Sequence, residues 1–387
     1  MRAARTVPLR GVGRLQRRAA ITFMALLCVF APHADAQPPT RYPPPESLSH
    51  APAIATARSV VRDIVDRMQL PGLSVAVLRG DKILWSESFG MADLEQGLLV
   101  TPQTRFRIGS VSKLLTAAGV ARLVEQAKLD LDAPVQVYVP DFPRKPWPVT
   151  TRQLAGHVAG IRHYGANYDG LGPPGAPHFA SVTAGLTLFQ NDPLLFEPGT
   201  SYSYSSYGWN LISAVIEGAA KQEFLQYIQG AVLEPLGLRS IAADHPFAFV
   251  PNRTRFFERD RAGRLWHAPY VDSSYKWASG GFLSNAEDLA RFGAAHLKPG
   301  FLRQETLNEV FTSQRLASGK DTGVGIGWRI GTDAKGRRVF HHGGSSVGGR
   351  AMLMMYPDLN LVVAMVANIR TNFGEEHAQA IGELFMR

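Results

Sequence analysis

Segments with strand character lie at the two ends of this chain and are almost missing from its middle, which restricts the fold more than composition does. Near the start, Leu73 to Arg79 and Lys82 to Phe89 read as strands joined by Gly80-Asp81, a two-residue hairpin link. Near the end, Arg338 to His342, Arg350 to Tyr356 and Leu361 to Ala367 read as three more. From about 111 to 275 helical patterns dominate, broken by loops rich in Gly and Pro, the longest from Gly165 to His178. Helices flank the strands at both ends. Ala57, Val60, Val61, Ile64, Val65 and Met68 follow the i, i+3, i+4, i+7 spacing until Pro71-Gly72, and Ala378, Ile381, Leu384 and Phe385 share one face of a last helix. The prediction is an α/β (α+β) architecture: a sheet built from N- and C-terminal strands (53–110 and 276–387), flanked by terminal helices, with an inserted helical part (111–275) and a cleft at the junction.

The leader predicts export. Residues 1–18 hold six arginines and no acid, 19–31 is apolar but too short to span a bilayer, and Ala34-Asp-Ala36 offers small residues for cleavage. Residues 1–36 therefore read as a signal peptide to the periplasm or outside, and 37–52 as a proline-rich tether. The one cysteine, Cys28, lies inside the apolar stretch, so the mature chain would have no disulfide, thiol nucleophile or Cys-metal site. The leader also supplies +5 of the formal net charge of +9, leaving +4 with no basic run that would hold nucleic acid or an anionic membrane. The mature chain, with no transmembrane segment, would be about 350 residues, enough for an ample core.

One tetrad carries chemistry. Ser110-Val-Ser-Lys113 sits where the extended segment Arg105 to Gly109 gives way to the apolar run Leu114 to Val124, and Lys113 is the only charge between Val111 and Ala121. Serine and lysine three apart share a helix face, and a helix apolar all round is usually buried. Burial disfavours the ammonium, so Lys113 becomes a usable base and Ser110 an activated nucleophile. An N-cap serine with a snorkelling lysine fits the four residues as well. A second match, Ser273-Ser-Tyr-Lys276, lies in a polar stretch with no apolar run after it and reads as a chance loop match.

Two later segments separate the readings. Phe196-Glu-Pro-Gly-Thr-Ser-Tyr202-Ser-Tyr204-Ser-Ser206-Tyr-Gly208-Trp-Asn-Leu is a turn with aromatic and hydroxyl residues opening a helix, and His341-His-Gly343-Gly344 ends a strand in a glycine-rich turn. In that order the three resemble the nucleophile, tyrosine and third-strand motifs of the penicillin-recognising serine hydrolases, in the branch of class C β-lactamases, D,D-peptidases, related esterases and mitochondrial β-lactamase-like proteins. Leu154-Ala-Gly-His157-Val-Ala-Gly160-Ile-Arg-His-Tyr164, Ser279-Gly-Gly-Phe-Leu-Ser284 and Gly325-Ile-Gly-Trp328 support it, and the likeness covers about residues 55–387. The resemblance implies Ser110 as nucleophile, Lys113 as its proton partner, Tyr204 as a further acid or base and His341 as the strand group normally filled by lysine. It places the oxyanion hole at the backbone N–H groups of Ser110 and Gly344, with Gly343 beside it, and it implies a small-molecule or peptide acyl substrate and no cofactor.

Two departures from the family pattern bear on substrate. Ser206 stands where asparagine is usual, and His341, only partly charged near neutrality, replaces a fixed cation. Ester, amide or peptide hydrolysis is therefore expected ahead of β-lactam hydrolysis. A true β-lactamase and a non-catalytic binding protein on the same fold are the alternatives. Gly344-Ser-Ser346-Val-Gly348 fits the G-x-S-x-G elbow, but a strand rather than a helix follows. His341-His342 would point to opposite faces of a strand, against a metal pair. His157 reads as a satisfied core histidine, Tyr202 and Tyr207 as packing or cleft-wall residues, and Trp328 as support near the sheet edge.

Overall fold

The alternation of side chains along the end strands explains how the chain closes on itself. The computed structural model describes residues 50–165 and 178–386. The expected signal peptide, most of the proline-rich stretch and residues 166–177 of the long loop lie outside the described residues. Among those described, the strands in chain order are β1 (Gly72–Arg79), β2 (Lys82–Asp93), β3 (Leu98–Leu99), β4 (Phe106–Arg107), β5 (Ala242–Ala243), β6 (Phe257–Arg259), β7 (Leu265–His267), β8 (Phe282–Ser284), β9 (Arg329–Thr332), β10 (Arg338–Ser346), β11 (Gly349–Tyr356) and β12 (Leu361–Ala367). The main sheet runs β3-β2-β1-β12-β11-β10-β9, antiparallel throughout. The first strand thus pairs with the last, Leu73 opposite Ala367 and Arg79 opposite Leu361.

Both faces of the central strands are covered. Leu73, Val75 and Val77 of β1, Met352 and Met354 of β11, and Val363 and Met365 of β12 pack under the terminal helices Ala51–Met68 and Glu375–Glu383. Their alternates Ala76, Leu78, Ala351, Leu353, Met355, Val362, Ala364 and Val366 join a larger core with helices Ser112–Glu125, Ser206–Ala220 and Ala286–Ala294. Each fully buried valine or leucine contributes roughly 1.5–3 kcal/mol, so this doubly covered sheet is a rigid base for a site at its edge. The first helix begins at Ala51, which puts Pro52 in its first turn rather than in the tether. The middle of the chain is helical with small strands added, β5 and the hairpin β6-β7, each of two or three residues and too short to show a period-2 pattern. No helix among the described residues is long and apolar enough to cross a membrane.

β10 differs from the sequence expectation. It runs on through His341, His342, Gly343 and Gly344 to Ser346, and the turn falls at Val347-Gly348, where Gly348 has φ 62°. Gly344 serves close approach, not a special dihedral. A Cβ there would lie 1.9 Å from the Ile108 carbonyl oxygen. Gly109, at φ +50°, faces the Ser345 main chain, and a Cβ on it would come within 2.6 Å of the Ser345 oxygen. β10 therefore rests backbone against backbone on residues 108–109 and meets Ser110 at its end.

Candidate active site

Ser110 occupies a 3₁₀ turn, Gly109–Val111, that leads into helix Ser112–Glu125, and Lys113 follows on the same face. Every helix residue from Ser112 to Ala121 is buried, and Lys113 is 0% exposed. Lys113 Nζ lies 3.2 Å from Ser110 Oγ, 3.1 Å from Ser206 Oγ and 2.7 Å from the Ser279 carbonyl oxygen. Burial, helped by the Arg329 charge, holds its pKa well below the usual lysine value, so the neutral amine is accessible. A neutral amine has two N–H bonds and one lone pair. The Ser279 carbonyl can only accept, and if Ser206 Oγ takes the second N–H, the lone pair is left for the Ser110 hydroxyl. The snorkelling alternative fails because no part of Lys113 reaches solvent.

Tyr204 donates its hydroxyl hydrogen to Ser110 Oγ at 2.8 Å. Burial raises its pKa, against the lowering effect of the Ser110 hydrogen bond, so it stays protonated. The next residue explains its placement. Ser205 caps helix Ser206–Ala220 by accepting from the Gly208 N–H at 2.9 Å, and its hydroxyl donates to the Arg162 carbonyl at 2.8 Å. Two histidine Nδ1 atoms accept the neighbouring N–H groups, His157 from Ser205 at 3.0 Å and His163 from Ser206 at 3.1 Å. The His157 ring lies 4.3 Å from the Tyr204 ring, and its backbone holds φ 62°, a left-handed value rare outside glycine. His157 is thus the satisfied histidine expected, and it also braces Tyr204.

The third-strand motif is displaced by one residue from its expected place. His341 has the parity of Val339 and faces the terminal-helix side, where Nδ1 is 3.3 Å from a Glu375 oxygen without hydrogen-bond alignment. Burial and Arg329 lower its pKa to about 4, so that contact is not an ion pair at neutral pH. His342 has the parity of Phe340 and faces the core side, 6.5 Å from the Tyr204 ring. It is buried, with Nδ1 2.7 Å from the Gly343 carbonyl oxygen, and burial with the nearby Lys113 holds it neutral. Gly343 and Gly344 move accordingly. Gly343 faces Arg350 and Met352, Gly344 abuts Ile108, and the β10 residues that line the cleft with Ser110 are Ser345 and Ser346. Two adjacent histidines made the register ambiguous, and only strand parity resolves it. Ser346 stands in a strand-turn-strand hairpin, the wrong context for a nucleophile elbow.

The cleft has a volume of about 350 Å³ and is also lined by Tyr164, Lys276, Ser279 and Arg370. Tyr164, whose hydroxyl is 2.7 Å from Ser279 Oγ, came from a segment quoted only as support. Lys276 is the lysine of the tetrad read as a chance match: Ser273 is buried away from the cleft lining, but Lys276 reaches it. The signal was present, since Tyr275 and Trp277-Ala-Ser-Gly-Gly-Phe surround that lysine with the apolar company that singled out Lys113.

The beta-lactamase family model matches residues 57–384. The human "Serine beta-lactamase-like protein LACTB, mitochondrial" is 31% identical over 405 residues, covering 81% of this chain and 74% of that protein. Esterase EstB of Burkholderia gladioli is 29% identical, covering 74% of this chain and 80% of the esterase. Among solved structures, "EstCE1, a hydrolase with promiscuous acyltransferase activity" shares the fold with a TM-score of 0.76 at 21% identity, covering 88% of this chain and 100% of that one.

Proposed function

This chain belongs to the beta-lactamase family and is a serine hydrolase of the β-lactamase, D,D-peptidase and esterase type; on that premise we propose that it works through an acyl-enzyme at Ser110 on an ester, amide or peptide substrate. The observation that carries the reading is the convergence on Ser110 Oγ of a buried, deprotonatable amine at 3.2 Å and a phenol hydroxyl at 2.8 Å. Neutral Lys113 takes the serine proton as Oγ attacks the acyl carbon. The negative charge that forms on the acyl oxygen is met by the amide of Ser110 and, because the motif lies one residue further along β10 than the sequence suggested and Ser345 rather than Gly344 lines the cleft, by the amide of Ser345 in place of that of Gly344, while Tyr204, kept protonated, supplies the proton to the leaving group. Tyr204 recovers its proton from Lys113, and water then opens the Ser110 ester by the reverse route. A purely binding role leaves unexplained why an ammonium site is buried beside a serine hydroxyl, a costly arrangement.

Substrate preference follows from the two departures. Ser206 offers a hydroxyl where an amide would donate to substrate, and His342, neutral by burial, supplies no fixed charge at the strand position. Initial rates with p-nitrophenyl acetate and nitrocefin test this: kcat/KM is expected to favour the ester, and faster nitrocefin turnover would make the protein a β-lactamase. The arginine-rich leader with its apolar run supports export, although the human relative's name is mitochondrial. Mass spectrometry of the N-terminus of the periplasmic or secreted fraction checks it, with cleavage expected after Ala36.

A further inference from the structure

A second cavity, of about 300 Å³, shares no lining residue with the cleft around Ser110. Its wall carries three guanidiniums, Arg107, Arg253 and Arg255, against one carboxylate, Asp244. Arg107, at the end of β4, is 8% exposed, and its guanidinium lies 4.0 Å over the Phe256 ring. Two of the guanidiniums converge on that carboxylate: Arg107 Nε donates to Asp244 Oδ2 at 2.6 Å and Arg253 Nη1 to Asp244 Oδ1 at 3.1 Å. Their other bonds go to main chain, Arg107 Nη1 to the Val347 oxygen at 2.9 Å and Arg253 Nη1 to the His245 oxygen at 3.2 Å. Arg255 reaches Asp93, outside the lining, through Nε at 3.3 Å. A guanidinium has five N–H donors, so Nη2 of Arg107, Nε and Nη2 of Arg253 and both Nη of Arg255 have no protein partner among the described residues. The lining thus holds three positive charges and one negative. An excess of two beside a buried guanidinium favours an anion in the cavity, where low solvent access strengthens the attraction.

We propose that this cavity is a binding site for a phosphomonoester dianion, held by the spare donors of Arg107 and Arg253 with Arg255 at its rim. A phosphomonoester near neutral pH carries a charge of about −1.5 to −2 and three acceptor oxygens, which matches both the charge excess and the number of arginines. Guanidiniums take phosphate oxygens in pairs, two N–H groups to two oxygens. A phosphodiester, with one charge, leaves half of the excess unmet. Tyr270, 67% exposed, also lines the cavity and offers a ring face to the organic part of the ester. The site stands behind the β10-β11 turn. Arg107 holds the Val347 carbonyl, and a Cβ on Gly348 would lie 2.5 Å from Phe256 Cβ and 2.8 Å from Ala268 Cβ, both on the cavity wall. Ser345 and Ser346 face the catalytic cleft from the other side of that turn, so the anion site is separate from the acyl-transfer machinery.

Isothermal titration calorimetry of the full protein with phenyl phosphate, at neutral pH and constant ionic strength, tests the proposal. One saturable site per chain is expected. Arg253→Gln leaves Arg107 on Asp244 and should weaken binding by at least about tenfold, the order of a hydrogen bond to a charged group. Arg253→Lys, which keeps the charge and loses the planar fork, should fall between wild type and Arg253→Gln. Arg255→Gln, at a side chain 58% exposed, should cost roughly two- to fivefold. Methyl phenyl phosphate, a diester with one charge, should bind at least about tenfold more weakly than phenyl phosphate. Absence of saturable binding, or unchanged affinity in Arg253→Gln, overturns the site. A diester bound as tightly as the monoester would point to a lipid headgroup and overturn the choice of ligand. Arg370→Gln fixes the location: it should leave the affinity unchanged, and loss of binding there rather than in Arg253→Gln would put the anion in the catalytic cleft.

Discussion

Gly344→Ala is the most demanding perturbation this geometry offers, because the added methyl would have main chain directly in front of it. Its Cβ would lie 1.9 Å from the Ile108 carbonyl oxygen and 3.1 Å from Val111 Cγ2. A carbon and a carbonyl oxygen rest about 3.3 Å apart at closest, so β10 and the segment leading to Ser110 must separate by roughly 1.4 Å. No side-chain rotation relieves the contact. Misplacement by about 1 Å is enough to cost about 10²-fold in rate, and overpacking of this kind costs about 1–3 kcal/mol, a few degrees in Tm. The variant should therefore fold, melt a few degrees lower and lose about 10²-fold in kcat/KM for a p-nitrophenyl ester. Gly343→Ala is the control. Its Cβ would meet only Arg350 Nη2 and Met352 Sδ at 3.7 Å, ordinary contact, so its activity should stay within a few-fold of wild type. Steady-state rates normalised by fluorophosphonate titration, with thermal melts, read both numbers. Equal losses in the two variants, or full activity in Gly344→Ala, would refute the claim that β10 and the Ser110 turn meet backbone to backbone.

Other consequences follow from the same geometry. His342→Ala should lower ester hydrolysis by at least tenfold while His341→Gln stays within a few-fold, as initial rates will show; the opposite order would return the motif to His341. Ser206→Asn should raise the ratio of nitrocefin to ester turnover if the missing amide limits β-lactams. Acid should destabilise the fold: burial holds the folded pKa values of His157, His296, His341 and His342 below 6.5, with His296 and His341 at about 4. The unfolded chain binds those protons first, so stability is full above about pH 6.5 and is lost as pH falls toward 4, which melts at pH 7.5, 6 and 5 will register as a falling Tm.

Much of this architecture was legible because it rests on patterns with a period. The hairpin at Gly80-Asp81, the strands from Arg350 to Tyr356 and from Leu361 to Ala367, and the buried run after Lys113 all announce themselves by spacing. The third-strand motif was harder. In His341-His342 the letters are identical, and which histidine lies on the Tyr204 side of the sheet depends on the parity of β10, whose Val339 and Phe340 pack on opposite faces. Gly344 was expected to turn the chain, yet its use is contact with Ile108, a residue more than 200 positions away. Lys276 was set aside because its tetrad lacks an apolar run after it, Arg370 stands in no motif, and only folding brings the end of β12 and the turn before Trp277 to one cleft.

The claim on which everything else depends is that Ser110 is acylated because Lys113 takes its proton. Intact-protein and peptide mass spectrometry after treatment with a fluorophosphonate tests it most directly. One adduct per chain is expected, on the peptide carrying Ser110, absent in Ser110→Ala and formed about 10²-fold or more slowly in Lys113→Ala. An adduct on Ser346 or Ser273, or labelling of Lys113→Ala at the wild-type rate, would contradict the account.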